Sequence, residues 1–293
     1  MGQPINASAV NLRRQLEALT PRDHTWRARG QLALGVPAID AHLKGGLPLG
    51  LLHEAYASET ADMAATSGFA AALVQRATLS NRSEDARSIV WIRQTMSESE
   101  TGRLYPHGLS GIGLDPANLI SVRVGKPIHL LSAGLEAVRC ASLSAVIIEA
   151  WGSPKELDLT ATRRLALAAE HSGTTPFLLR AATQEQASTA FTRWQVRAAP
   201  SRALAAGAPG YPTFDITLLR NKAGTHGQSW RVEWHHELGQ FKSIATEQAI
   251  TRIAGEKRSA GQPLPGEPLS GGVVSVSARR SLKAAGKPLA RTG

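Results

Sequence analysis

The chain has 293 residues, enough for one large domain or two small ones, and 42% of them are hydrophobic, so a substantial core can form. Its net charge of +10 permits contact with nucleic acid or another polyanion but does not establish it. No apolar run reaches the roughly 18 to 20 residues that a membrane helix needs, and the first residues lack the pattern of a secretory signal. We therefore expect a cytoplasmic protein without membrane contact, and a single cysteine excludes an internal disulfide.

Composition and periodicity divide the sequence into three parts. Residues 1–30 combine a predicted amphipathic helix with a basic linker. Residues 31–243 contain alternating strand and helix patterns and are predicted to form the core domain. Residues 244–293 are rich in glycine, proline, serine, alanine and basic residues, with little apolar content, so they are predicted to be disordered.

Both flanking parts contain candidate partner-binding residues. Leucines recur at helical spacing over residues 8–19, and such a helix can pack on the chain's own core or dock on a partner. In the tail, a short apolar segment followed by basic residues could become ordered on a partner, and the sequence leaves open whether it contacts DNA or protein. The candidate partner-binding residues are Leu12, Leu16, Leu19, Val274, Arg279, Arg280 and Lys283.

Within the core, apolar strand patterns first alternate with helix patterns. Strands joined by helices in this way predict a parallel sheet with crossover helices. The predicted parallel strands cover residues 51–56, 89–92, 119–124, 145–148 and 175–179. Later strands follow one another without helices, which predicts an antiparallel extension at one edge of the sheet. These later strands cover residues 194–197, 214–219 and 230–234.

The first predicted strand is followed by a loop and then a helix, which is where a nucleotide-binding protein places its phosphate loop. Such a loop needs glycines so that backbone N–H groups can surround the phosphates, a lysine, and a hydroxyl group for magnesium. The loop here has no glycine and no lysine, and its carboxylates, Glu59 and Asp62, would repel a polyphosphate. We call it the degenerate phosphate loop, and it comprises Ala57, Ser58, Glu59, Thr60, Ala61, Asp62, Met63 and Ala64.

Other motifs that carry chemistry are missing. Residues 108–113 are rich in glycine but neither follow a strand directly nor open a helix, so we expect a turn there rather than a dinucleotide site. The nine histidines show no spacing typical of metal ligands, so neither a metal nor a cofactor is predicted. Cys140 lies among Val138, Ala141 and Leu143, and these neighbours predict a buried, inert thiol.

The residues before the degenerate phosphate loop are similar to a segment of RecA. Three groups of residues stand in the places of RecA's Leu-Asp pair, its Gly-Gly-Leu-Pro turn and its Glu-Ile-Tyr strand. They are Ile39-Asp40, Gly45-Gly46-Leu47-Pro48 and Glu54-Ala55-Tyr56. The resemblance implies a RecA-like α/β core, with a mainly parallel sheet flanked by helices and an antiparallel C-terminal extension.

The resemblance also indicates which catalytic positions have changed. It places Met63 where RecA has the phosphate-loop lysine and Ala64 where RecA has the hydroxyl residue. Glu149 stands at the end of a strand similar to the Walker-B strand, where the family has Asp. The family's catalytic glutamate falls near Arg93 or Gln94. The lysine, the hydroxyl residue and the catalytic glutamate are therefore all replaced. Three separate losses predict a protein that is not an ATPase.

Several further stretches resemble one group of RecA-like proteins. They are residues 148–152, 157–165, 193–194, 219–222 and 230–234. On these stretches the chain is identified as a member of the ImuA family, which occurs in damage-inducible mutagenesis cassettes. The resemblance implies a non-catalytic adaptor in error-prone translesion synthesis. Its implied partners are the ImuB-type relative of Y-family polymerases and an error-prone replicative-type polymerase, with RecA as a further candidate; self-association stays open.

An alternative reading is a division inhibitor of the SulA type, which is also RecA-like and lacks a phosphate loop. Such a protein would bind the tubulin-like division protein. The length of this chain and its terminal hairpin disfavour this alternative.

Overall fold

A computed structural model describes residues 28–80, 88–224 and 226–244. Within these ranges, nine strands form one mixed sheet and two short strands form a separate ribbon. The ribbon pairs β1 (Gln31–Leu32) with β2 (Leu47–Pro48), and helix α1 (Pro37–His42) lies between them in sequence. All the candidate partner-binding residues fall outside the described ranges. They are Leu12, Leu16, Leu19, Val274, Arg279, Arg280 and Lys283.

The large sheet has a parallel and an antiparallel part. The parallel strands are β3 (His53–Ala57), β4 (Ile89–Gln94), β5 (Leu119–Val124), β6 (Ala145–Trp151), β7 (Thr175–Ala181) and β8 (Thr192–Ala198). The antiparallel strands that follow are β9 (Thr213–Asn221), β10 (Ser229–His235) and β11 (Gln240–Ser243). The spatial order is β11-β10-β9-β8-β3-β7-β6-β4-β5. The predicted α/β core, with a mainly parallel sheet flanked by helices and an antiparallel C-terminal extension, is confirmed.

Five further helices connect these strands. They are α2 (Met63–Ser80), α3 (Thr95–Thr101), α4 (Pro106–Ile112), α5 (Pro127–Arg139) and α6 (Leu159–Ser172). Proline at the first position starts α5, and the Asp158 carboxylate starts α6 by accepting the N–H of Ala161 at 2.7 Å. Gly173, at φ 80°, ends α6 in the left-handed conformation. Among the described helices, none combines the length and apolar character needed to cross a membrane.

Two apolar clusters, one on each face, hold the helices to the sheet. Helix α2 buries Phe69 on one face, where its ring lies 6.0 Å from that of Trp194 and 5.9 Å from that of Phe214. Helices α5 and α6 cover the other face, and the cluster there includes Leu130 and Leu165. Burial of side chains of this size contributes about 1.5–3 kcal/mol each. The fold is therefore stabilised mainly by these two layers of helices.

Two expectations from the sequence were wrong. Residues 108–113 do not form a turn, because they lie in and at the end of α4, which Pro106 starts and which Gly113 ends at φ 95°. Burial of Leu109 favours this short helix in spite of its glycines. Cys140 is exposed rather than buried, because it caps the end of α5, where the chain turns away from the core.

A buried histidine links the ribbon to the sheet. The Nε2 atom of His53 lies 2.8 Å from the carbonyl oxygen of Pro48, and its Nδ1 atom lies 2.8 Å from Oγ1 of Thr192. The Thr192 oxygen also accepts the indole N–H of Trp194 at 2.9 Å. This arrangement fits a neutral ring with the proton on Nε2. Burial lowers the pKa of His53 to about 4.

We predict that His53 makes the protein less stable in acid. The folded pKa lies below the unfolded value, so the contribution is fully present above about pH 6.5 and is lost as the pH falls towards about 4. The loss amounts to about 3 kcal/mol at the acid end. Urea unfolding between pH 7 and pH 4 measures it, and the His53→Gln variant should lose less stability over this range. An equal loss in both proteins would contradict the prediction.

Candidate functional site

The degenerate phosphate loop connects the end of β3 to the start of α2. Ala57 is the last residue of β3, and Thr60–Asp62 form a single 3₁₀ turn. Met63 begins α2 and is only 1% exposed, whereas Ala64 faces solvent. The side chain at the position of the family's lysine is therefore part of the apolar core.

Polar groups of this loop are bonded to strand β8 and its end. The Ser58 hydroxyl accepts a hydrogen bond from the Gln195 amide at 2.8 Å. The Asp62 carboxylate accepts the N–H of Ala198 at 3.0 Å. Glu59 is exposed. The loop therefore offers solvent a carboxylate rather than the ring of N–H donors that a phosphate requires.

The Walker-B-like residue Glu149 is fully buried and forms an ion pair with Arg93. The Nε atom of Arg93 lies 2.9 Å from Oε2 of Glu149, and its Nη2 atom lies 2.9 Å from Oε1. The indole N–H of Trp91 donates to Oε2 at 3.2 Å. Both carboxylate oxygens of Glu149 are thus occupied by donors from the neighbouring strand β4, in the two-point geometry that arginine and carboxylate prefer.

The remaining donors of Arg93 fix the start of the next connection. Its Nη1 atom donates to the carbonyl oxygen of Gly102, and its Nη2 atom donates to Oγ1 of Thr101, both at 2.9 Å. The neighbouring Gln94 accepts the N–H of Trp151 through Oε1 at 2.7 Å. The residues nearest the position of the family's catalytic glutamate are therefore hydrogen-bonded within the fold.

The geometry gives no support to metal binding. In the described ranges, no group of three or more His, Cys, Asp or Glu side chains is placed to hold an ion. A cation at Glu149 would have to displace the Arg93 guanidinium, which would then be left buried without its counter-charge. Removing one partner of a buried pair typically costs about 3–5 kcal/mol.

A second charged cluster lies on the opposite face of the sheet. Glu54, Arg180 and Arg193 are 1%, 0% and 4% exposed, and they come from three adjacent parallel strands. Glu54 lies 3.3 Å from Nε of Arg193 and 3.9 Å from Nη1 of Arg180. The Tyr56 hydroxyl also donates to Glu54 at 3.1 Å. Burial raises the pKa of the Glu54 carboxyl, and the two arginines oppose that rise.

This cluster supports an unusual connection from β7 to β8. Parallel strands are usually joined by a helix, but residues 182–191 cross the face of the sheet without one. Their backbone groups need other partners, and charged side chains supply them. Arg193 donates to the carbonyl oxygen of Ser188 at 2.8 Å, and Lys222 donates to that of Thr189 at 2.6 Å.

The sequence did not predict either ion cluster. Arg93 and Glu149 lie 56 residues apart, and they meet because parallel pairing of β4 with β6 places them directly opposite one another. The sequence did contain a signal for this pair, because Arg93 and Glu149 each follow directly after an apolar strand pattern. Glu54 and Arg180 carried the same signal, since each lies inside or beside a predicted buried strand.

Comparison with known proteins gave two kinds of match. A search for family models found none that fits the chain. Protein ImuA of Caulobacter vibrioides, strain NA1000 / CB15N, is 32% identical over 215 residues, which cover 69% of this chain and 76% of that protein. Protein ImuA of strain ATCC 19089 / CIP 103742 / CB 15 matches equally well. The solved structure of the RadB recombinase is 12% identical, with a TM-score of 0.48, and the match covers 73% of this chain and 100% of that one.

We predict that Arg93 and Glu149 depend on each other for stability. Either Arg93→Ala or Glu149→Ala should lower the free energy of unfolding by about 3–5 kcal/mol, because the partner keeps an uncompensated buried charge. The double variant Arg93→Met/Glu149→Leu should regain most of this loss. Urea unfolding followed by circular dichroism measures the effect.

A matched control comes from the exposed pair of Arg139 and Glu136, whose nitrogen and oxygen lie 2.8 Å apart. Arg139→Ala should change the free energy of unfolding by no more than about 1 kcal/mol. Equal losses from the buried and the exposed pair would contradict the structural role of Arg93.

Proposed function

The chain belongs to the ImuA family, and we propose that it acts as a non-catalytic accessory protein in error-prone translesion synthesis induced by DNA damage. The observation that carries the proposal is the buried pair of Arg93 and Glu149, together with a loop after β3 that has no glycine or lysine. Family membership supports the pathway, and the site supports the absence of catalysis.

The degenerate phosphate loop, Glu149 and Gln94 do not meet three requirements of ATP hydrolysis. Hydrolysis needs a cradle for the phosphates, a metal held near the transferred group and a residue that orients water. The degenerate phosphate loop presents Glu59 to solvent, Glu149 is held by Arg93, and Gln94 is bonded to the backbone of Trp151. Glu149 and Gln94 are therefore committed to the fold, and the exposed Glu59 carboxylate would repel a phosphate.

An accessory protein of this kind acts through its surfaces. We propose that it brings together the ImuB-type relative of Y-family polymerases and the error-prone replicative-type polymerase, with RecA as a further candidate. The described core supports this role because it needs no ligand to fill its central site. The basic tail would supply additional contacts.

The first test is the frequency of damage-induced mutation in a strain that lacks the gene. We expect it to fall to the uninduced level and to return with the wild-type gene. The double variant Glu59→Ala/Thr60→Ala, which alters the exposed part of the loop, should restore it equally. Immunoblots provide the control for protein level.

Other outcomes of this test would contradict the proposal. An unchanged mutation frequency in the deletion strain would remove the chain from the pathway. Filamentous cells on overexpression would then favour a SulA-type division inhibitor. Failure of the Glu59→Ala/Thr60→Ala variant at normal protein level would indicate that the loop itself has a function.

The second test concerns nucleotide. Calorimetric titration of the purified chain with ATP and Mg²⁺ should show no binding, and phosphate release should stay at background. The Glu149→Gln variant, which keeps the shape of the side chain, should behave in the same way. Hydrolysis by the wild-type chain that Glu149→Gln abolishes would falsify the non-catalytic proposal.

A further inference from the structure

An apolar strip lies open to solvent between α5 and α6. A cavity of about 340 Å³ separates the first turns of the two helices. Its apolar lining consists of Ile128, Leu131, Leu135, Ala161 and Leu165. Acidic residues, Glu156 and Asp158, flank this end of the strip.

The strip continues to the far end of both helices. A second cavity, of about 460 Å³, adjoins the first through Leu135 and Arg164 and extends to His171. Two side chains that line these cavities, those of Ile128 and Leu167, are 50% and 55% exposed. These exposed apolar side chains line one continuous groove, so a further apolar segment that packed there would be removed from water.

The described chain begins at the end of this strip. Ala28 and Arg29 line a cavity together with Leu167 and His171, at the C-terminal end of α6. The guanidinium of Arg29 donates to the carbonyl oxygen of His171 at 3.4 Å. Residues before Ala28 therefore leave the core beside the strip.

The length of chain before Ala28 suits this location. Residues 20–27 separate the predicted helix from the core, and eight extended residues span up to about 26 Å. Helix α6 has 14 residues and is about 21 Å long. A helix over residues 8–19 can therefore reach any point of the strip, and the short linker gives it a high effective concentration there.

The spacing of the leucines also fits. Leu12 and Leu19 are separated by seven residues, or about 10 Å of helix, and Ile128 and Leu135 are separated by the same length. With Leu19 beside Leu167, the N-terminal end of the segment lies towards Ile128.

The charges match in the same orientation. Glu17 then lies level with Arg164, which lines both cavities at the middle of the strip. The basic pair at residues 13–14 lies towards the acidic end, which contains Glu156 and Asp158. Reversal of the segment would place like charges together.

We propose that residues 8–19 dock as a helix in the groove between α5 and α6 of the same chain. Leu12, Leu16 and Leu19 enter the apolar strip, with Glu17 beside Arg164. The sequence left open whether this segment packs on its own core or on a partner, and the groove favours its own core.

Hydrogen exchange of the full chain, followed by mass spectrometry, tests this proposal. Residues 8–19 should exchange slowly in the wild type and about tenfold faster in the Ile128→Glu/Leu167→Glu variant, which blocks the groove. Both substitutions alter side chains that are about half exposed, and an unchanged melting temperature would show that the core is intact. The matched control is Leu204→Glu, which alters a side chain 47% exposed outside the groove and should leave the exchange unchanged.

A charge exchange makes the orientation testable. Glu17→Arg and Arg164→Glu should each speed the exchange of residues 8–19, and the double variant should slow it again. Fast exchange of residues 8–19 in the wild type would overturn the proposal. So would slow exchange that survives in the blocked groove. Protection that disappears on dilution would also overturn it, since the occupant would then be the segment of a second copy.

Discussion

The ion pair between Arg93 and Glu149 is the interaction on which the described site depends. Both groups are withdrawn from water on the face of the sheet that α2 covers, so neither can lose its partner without leaving a buried charge. Arg93 in turn holds the backbone of Gly102, which fixes the connection after α3. The carboxylate at the end of β6 is thereby part of the interior.

The opposite face follows the same principle with different residues. The crossover of residues 182–191 has no helix to satisfy its own backbone, and it still covers part of the sheet. Glu54, Arg180 and Arg193 make this possible because their charges are paired beneath it. On both faces of the sheet, buried charged side chains therefore donate hydrogen bonds to the backbone of a neighbouring connection. An apolar residue could not make these bonds.

The sequence predicted the fold class well because strand and helix periodicity is a local property. The prediction of a turn at residues 108–113 failed because long-range packing determines the local structure there. Burial of Leu109 stabilises the glycine-rich helix α4. Strand β11 was missed because its four residues, Gln240–Ser243, carry no clear alternation of their own. The absence of glycine and lysine from the loop after β3 is visible in the sequence alone. The pairing of Arg93 with Glu149 could not be predicted, because it depends on the register between β4 and β6.

The pairing of Glu149 with Arg93 has a consequence for regulation. A protein that binds nucleotide gains stability from the ligand, and its surfaces can change as the ligand is hydrolysed. Here Arg93 already supplies the counter-charge, so the Glu149 carboxylate does not require a cation to balance it. Under the proposed function, control must then come from the amount of protein or from segments that cover its surfaces. The groove beside Arg29 offers such a surface, because the chain itself enters the core there.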